Sequence, residues 1–170
     1  MLHKTAQERY EKLKRVFRRL MKNFNRDDLD DFIMAANSLR EWIHNDPSVT
    51  REQRKAVEKF AVPAGVDWQI CHQVANQQKH PRRKPAKNPN APVVKAVHTA
   101  SGAKGFVLPA SKQVIGAGED ITVEWEGGTE SALAFAIRIF RHFHYIFEVI
   151  PLPLPERAEA AAMTAEFFGL

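Results

Sequence analysis

Between Thr5 and Phe24 the apolar residues Ala6, Tyr10, Leu13, Phe17, Leu20, Met21 and Phe24 recur at steps of three and four, the period of one helix face. The spacing predicts a helix there. Asn25 to Asp28 then offer capping side chains, and Leu29, Phe32, Ile33, Ala36, Leu39, Trp42 and Ile43 keep the same period until Asn45-Asp46-Pro47 stops it. This predicts a second helix. A third, short one starts within Ser48-Val49-Thr50-Arg51-Glu52 and carries Val57 and Phe60 before Pro63 and Gly65. Asp67 can cap a fourth, running from Trp68 to Gln78, with Trp68, Ile70, Cys71, Val74 and Ala75 on its apolar side.

The pattern then changes. Lys79 to Pro92 sets Pro81, Pro85, Pro89 and Pro92 among Arg82, Arg83, Lys84 and Lys87, a composition that cannot continue a helix and reads as an exposed basic loop. Val93 to Val97, Phe106 to Leu108, Gln113 to Ile115 and Ile121 to Trp125 are short apolar runs separated by glycine-bearing turns, which predicts a small antiparallel meander. Thr129 can cap a last long helix in which Leu133, Phe135, Ile137, Ile139, Phe140, Phe143, Ile146, Phe147 and Ile150 cover a wide arc, the mark of a central position. Pro151, Pro153 and Pro155 end it, and Pro155 can open a final Ala-rich helix. The expected fold is mainly α: a helical bundle over residues 1 to 150 with a β insertion at 92 to 127, then a Pro-rich turn and C-terminal helix over 151 to 170.

Composition narrows the class. A chain of 170 residues and 19.3 kDa suits one core, and 44% hydrophobic residues with a mean hydropathy of −0.39 separates it from disordered chains. The single cysteine, Cys71, excludes an intramolecular disulfide. The start has no apolar segment of a secretory signal, and Ala132 to Ile150 is interrupted by Arg138, Arg141, His142 and His144. The expectation is a cytoplasmic protein without a membrane span. The net charge of +5 alternates by block: +7 over residues 1 to 26, −4 over 27 to 67, +8 over 68 to 118 and −6 over 119 to 170. Clustered Lys and Arg are the footprint of a phosphate-binding surface. Two other uses of the same charge stay open: the first helix pairing internally with Asp27, Asp28, Asp30 and Asp31, or an acidic protein partner.

Candidate chemistry concentrates on two helices. On the second, Arg40 falls near the middle of the apolar stripe with Ile33, Ala36 and Ile43 around it, and Asn37 and His44 lie one turn to either side. A guanidinium there needs a carboxylate, carbonyl oxygens or a ligand phosphate, so it is either a structural Arg or a site residue. On the fourth, His72, Asn76 and Lys79 step by four and three, and His80 follows at the mouth of the basic loop. That edge is either a solvated flank or a site, in which His80 beside Arg82, Arg83 and Lys84 would act as an acid on bound phosphate. Arg40, His44 and His80 are the catalytic candidates. His72, Asn76, Lys79, Arg82, Arg83, Lys84 and Lys87 are the nucleic-acid-binding ones. His72 and His80 are poorly spaced as chelators and no third ligand is evident, so neither a metal nor a cofactor is expected.

The Ala36-x-x-Leu39-x-x-Trp42-Ile43 helix followed by Cys71-x-x-x-Ala75-Asn76-x-x-Lys79-His80 resembles a group of uncharacterised bacterial and phage helical proteins. That group is similar to the HEPN class of helical bundles, many of them ribonucleases of toxin and antiphage systems with an Arg-x(4 to 6)-His motif. The resemblance implies an RNA-directed, metal-independent ribonuclease effector and a homodimer. Here the pattern departs from the class. His80 has Gln73, Val74 and Ala75 at the required distances, Arg40 to His44 is one residue short, and only Arg138 to His144 fits. His144 falls within the apolar arc and Arg138 near the opposite face, which predicts a core histidine rather than a pair.

Overall fold

The fold was read from a computed structural model, which describes residues 5–58, 71–75, 94–107, 114–125 and 128–168. It is mainly α, with a small antiparallel sheet ahead of the last long helices. Helix α1 spans Ala6–Lys22 and α2 spans Arg26–Asn45. Each begins where a side chain takes up the free backbone amides of the first turn. Thr5 and Glu8 form a reciprocal capping box on α1, and the Asn25 carboxamide accepts from the Asp28 amide of α2 at 2.9 Å. Helix α3, Arg51–Glu58, starts the same way, with Thr50 and Gln53 exchanging side-chain-to-amide bonds. Residues 71–75 form helix α4 in its described part.

The four short runs expected of a meander are instead long strands: β1 is Val94–Val107 and β2 Val114–Trp125, paired antiparallel from Val94 opposite Trp125 to Val107 opposite Val114. Glycines within β1 and β2 read as turns in the sequence but lie inside the ladder, where the register shift between Ser101 and Ala103 takes up Gly102 and a second shift falls between Val94 and Ala96. A third strand, β3 (Gly128–Ser131), pairs with β2 and carries the insertion past residue 127, so the sheet order is β1-β2-β3. Thr129 is therefore a strand residue and caps nothing. Helix α5 begins after Ser131, which makes no side-chain cap, and runs Ala132–His144. It passes directly into a π-helical turn, Tyr145–Val149, before the Pro-rich turn and α6, Leu154–Phe168.

The core lies between α1, α2, α5 and the π turn. Phe17 stacks on Phe140 with ring centroids 3.9 Å apart and meets Phe32 at 5.7 Å, while Tyr10 stacks on Phe147 at 4.6 Å. Ile121 and Val123, two apart on β2, point into the same core. The π turn shifts the carbonyl ladder, and the buried Gln53 side chain donates to the Ile146 carbonyl at 3.0 Å from α3. Asp46, just past α2, accepts from the Ala6 amide at 2.5 Å and from the Ser48 amide and hydroxyl, so its carboxylate closes the positive end of α1. Helix α6 is tied back by Arg157, which pairs with Glu52 of α3 and donates to the Leu152 carbonyl. No helix among the described residues is long and apolar enough to cross a membrane.

Besides the packing of Ile121 and Val123, a backbone bridge joins the sheet to the bundle among the described residues. Phe24, between α1 and α2, donates to the Ala117 carbonyl at 2.8 Å and accepts from the Glu119 amide at 2.7 Å, bridging in parallel across Gly118. Glu119 then accepts from the Arg26 amide at 2.8 Å, a second cap on α2. Gly118 has φ of 139°, and a Cβ there would lie 2.3 Å from the Phe24 carbonyl oxygen. Gly118→Ala should therefore lose about 2–4 kcal/mol of stability in urea unfolding, from strain and from parting the junction. A loss under about 0.5 kcal/mol would show that the sheet is not anchored there.

Candidate functional site

The buried residues of α1 (Ala6, Tyr10, Leu13, Val16, Phe17, Leu20 and Met21) fill one side of the helix completely. The cations are thereby forced to the other. Lys12, Arg15, Arg18, Arg19 and Lys22 are all exposed and fall within an arc of about 120° at roughly 100° per residue. Arg19 alone of the five is taken by the acidic start of α2, contacting Asp28 and Asp31 at 2.5 Å each. Elsewhere in the basic block Lys14 pairs with Glu11 and Glu148 and Arg26 with Asp30, so internal pairing takes up part of the block and leaves most of this row. Lys12, Arg15, Arg18 and Lys22 meet no carboxylate among the described residues.

Both flanks of this row are acidic. Asp28 and Asp31 border it on the α2 side. On the opposite side Lys14 bridges Glu11 at 3.0 Å and Glu148 of the π turn at 3.1 Å. Burial works to lower the Lys14 pKa, but those two hydrogen bonds outweigh it and hold the ammonium above its usual value. Inside this flank the Tyr10 hydroxyl, fully buried, sits 3.3 Å from His144 Nδ1. Burial first, then the Glu148 charge, raises the Tyr10 phenol well above its ordinary range. Burial lowers the His144 pKa, against the pull of Glu148. Arg138 pairs with Glu130 of β3, so Arg138 and His144 are committed to different partners despite their spacing. His144 is half-buried, and its Nδ1 meets the Tyr10 hydroxyl where a backbone or carboxylate partner was expected.

The second region is the seam between α2 and α4. Cys71 is buried, and its thiol donates to the Ile33 carbonyl at 3.7 Å. One residue on, His72 Nδ1 lies 3.1 Å from the Oδ1 of Asn37, which is itself only 2% exposed. Its Nδ2 has no partner among the described residues. Arg40 is half-buried beside Cys71, and burial depresses the guanidinium pKa. The structure thus brings Arg40, Asn37 and His72 to one seam, while His44 stands exposed in the last turn of α2. Asn76, Lys79, His80, Arg82, Arg83, Lys84 and Lys87 lie outside the described residues. Sequence reasoning passed over Asn37 as a ligand to His72, and over the α1 row as a site, although the +7 block was its signal. No cluster of three or more His, Cys, Asp or Glu side chains able to hold a metal ion occurs among the described residues.

These features define a mainly helical chain with a free basic helix face and a polar inter-helix seam. No family model, curated protein or solved structure matches it.

The half-buried histidines His142 and His144 set a pH dependence. Burial pushes the His142 pKa down to about 3 and lowers that of His144. An unfolded histidine titrates near 6.5, so between these values the unfolded chain binds more protons and acid favours unfolding. Stability should be full above pH ~6.5 and fall progressively toward pH ~3. The urea midpoint, measured from pH ~7.5 to ~4.5, should decline in wild type and decline less in His142→Gln. Equal slopes in the two proteins would remove His142 from the account.

Proposed function

We propose that this chain is a HEPN-like protein that binds nucleic acid, RNA in preference, through its phosphate backbone. The observation that carries the reading is the α1 row, where four cations with no internal partner among the described residues stand on a helix face that the core leaves to solvent. Cations kept unpaired and in register along an ordered helix attract phosphates and release their counterions on contact. The resemblance of Ala36 to Ile43 and of Cys71 to His80 to the HEPN-like group supports RNA as the polymer, and supports a ribonuclease effector of a toxin or antiphage system. Cleavage in that scheme needs His80 as acid and Arg40 and His44 near the scissile phosphate. The half-buried Arg40 beside α4 supports a stabilising role for the first of these.

The test is to incubate purified protein, wild type and His80→Ala, with total RNA and a labelled oligonucleotide in EDTA, following retention and cleavage together. Retention that weakens steeply with salt is the expected result. Cleavage by wild type that disappears in His80→Ala would add metal-independent turnover, and retention without cleavage leaves a binding protein. Absence of retention at low salt would overturn the reading and redirect attention to an acidic protein partner.

A further inference from the structure

The acidic borders of the α1 row decide more than its sign. A duplex presents two phosphate backbones, and gripping both takes two lines of cations or a broad basic field. Here one line runs along the helix axis, roughly 15 Å from Lys12 to Lys22 at 1.5 Å per residue. Asp28 and Asp31 stand on one side of it and Glu148 on the other. Asp31 keeps 66% of its side-chain surface exposed and Glu148 40%, so each presents charge to anything lying beside the row. A phosphate chain seated on the row is attracted by Lys12, Arg15, Arg18 and Lys22. A second strand would be held against those carboxylates.

The face also lacks an exposed aromatic side chain among the described residues. Its exposed positions between Lys12 and Lys22 are all Lys or Arg. The exposed large apolar side chains among the described residues, Tyr145, Leu154 and Met163, all lie outside α1. Without an aromatic platform there is no stacking to favour one base over another.

We infer that the exposed face of α1 is a sequence-indifferent track for one nucleic-acid strand, engaging three or four consecutive phosphates through Lys12, Arg15, Arg18 and Lys22. This rests on the proposed nucleic-acid function and adds to it the strandedness of the ligand and the residues that grip it. Its consequence is a modest and calculable salt dependence. Each neutralised phosphate of a single strand contributes about −0.7 to the slope of log affinity against log salt, so this row accounts for a slope of about −2 to −3.

Fluorescence anisotropy can separate this inference from the function beneath it. The ligands are labelled oligo-uridylate and mixed-sequence single strands of about 12 nucleotides and a duplex of about the same length, in roughly 50 to 300 mM KCl. The proteins are wild type, a row variant (Lys12→Gln, Arg15→Gln, Arg18→Gln, Lys22→Gln) and a loop variant (Arg82→Gln, Arg83→Gln, Lys84→Gln), each checked by circular dichroism. The row variant should bind at least tenfold more weakly with a slope shallower by about 2 to 3, the two single strands should bind within about threefold of each other, and the duplex no more tightly. A row variant with the wild-type slope, while the loop variant loses it, would overturn the inference and leave the function standing. Duplex bound more than about tenfold tighter than single strand would overturn the strandedness. Wild type that binds none of the three would overturn both.

Discussion

Phe17 of α1 stacks face to face on Phe140 of α5 and meets Phe32 of α2 at an angle, and this three-ring contact fixes the rotation of α1 about its own axis. Tyr10, two turns earlier, repeats the constraint by stacking on Phe147. Once those rings are seated, helix geometry leaves the cations no choice of side. A rotation that brought Arg15 or Lys22 toward the core would bury a charge at a cost of several kcal/mol and expose two aromatic rings. The outward basic row is thus a consequence of core packing.

The same packing explains how the ends of the elements are held. The positive end of α1 is closed by Asp46, that of α2 by Asn25 and by Glu119 arriving from the sheet, and that of α3 by the Thr50–Gln53 exchange. Glu119 can arrive because Gly118 lets β2 approach the Phe24 backbone directly. The sheet, inserted between α4 and α5 in sequence, is in this way fastened to the α1–α2 turn. Gln53 does similar service for the π turn, whose displaced carbonyl at Ile146 would otherwise be buried unpaired.

The helices were legible because a three-to-four apolar period over many residues has few competing explanations. The predicted Thr5 to Phe24 and Asn25 to Asp46 segments differ from α1 and α2 only at the ends, and the α2 cap, Asn25, was visible as a side chain. The sheet was less legible. Local signals treat a glycine in an apolar stretch as a turn, whereas in β1 and β2 the ladder carries it, and only long-range pairing reveals this. Thr129 resembled a helix cap for want of any local sign that β3 would pair with β2. The π turn left no signature either, since its apolar arc continues that of α5.

For the site, composition pointed to a basic surface but not to the residues that form it. Arg40 stood out by its place on the helix wheel, and Cys71 lies beside it, yet the Asn37–His72 contact joins two helices and no spacing within either predicts it. The +7 block can be read as ligand-binding or as internally paired, and the structure pairs two of its members with α2 carboxylates, Arg19 with Asp28 and Asp31 and Arg26 with Asp30. The account's central claim, that the solvent face of α1 is where nucleic acid is held, is tested most directly by mapping contacts on isotopically labelled protein with short oligo-uridylate by NMR. Shifts centred on the Lys12 to Lys22 amides and guanidinium groups are predicted, and shifts confined to the α2–α4 seam or to the sheet would contradict it.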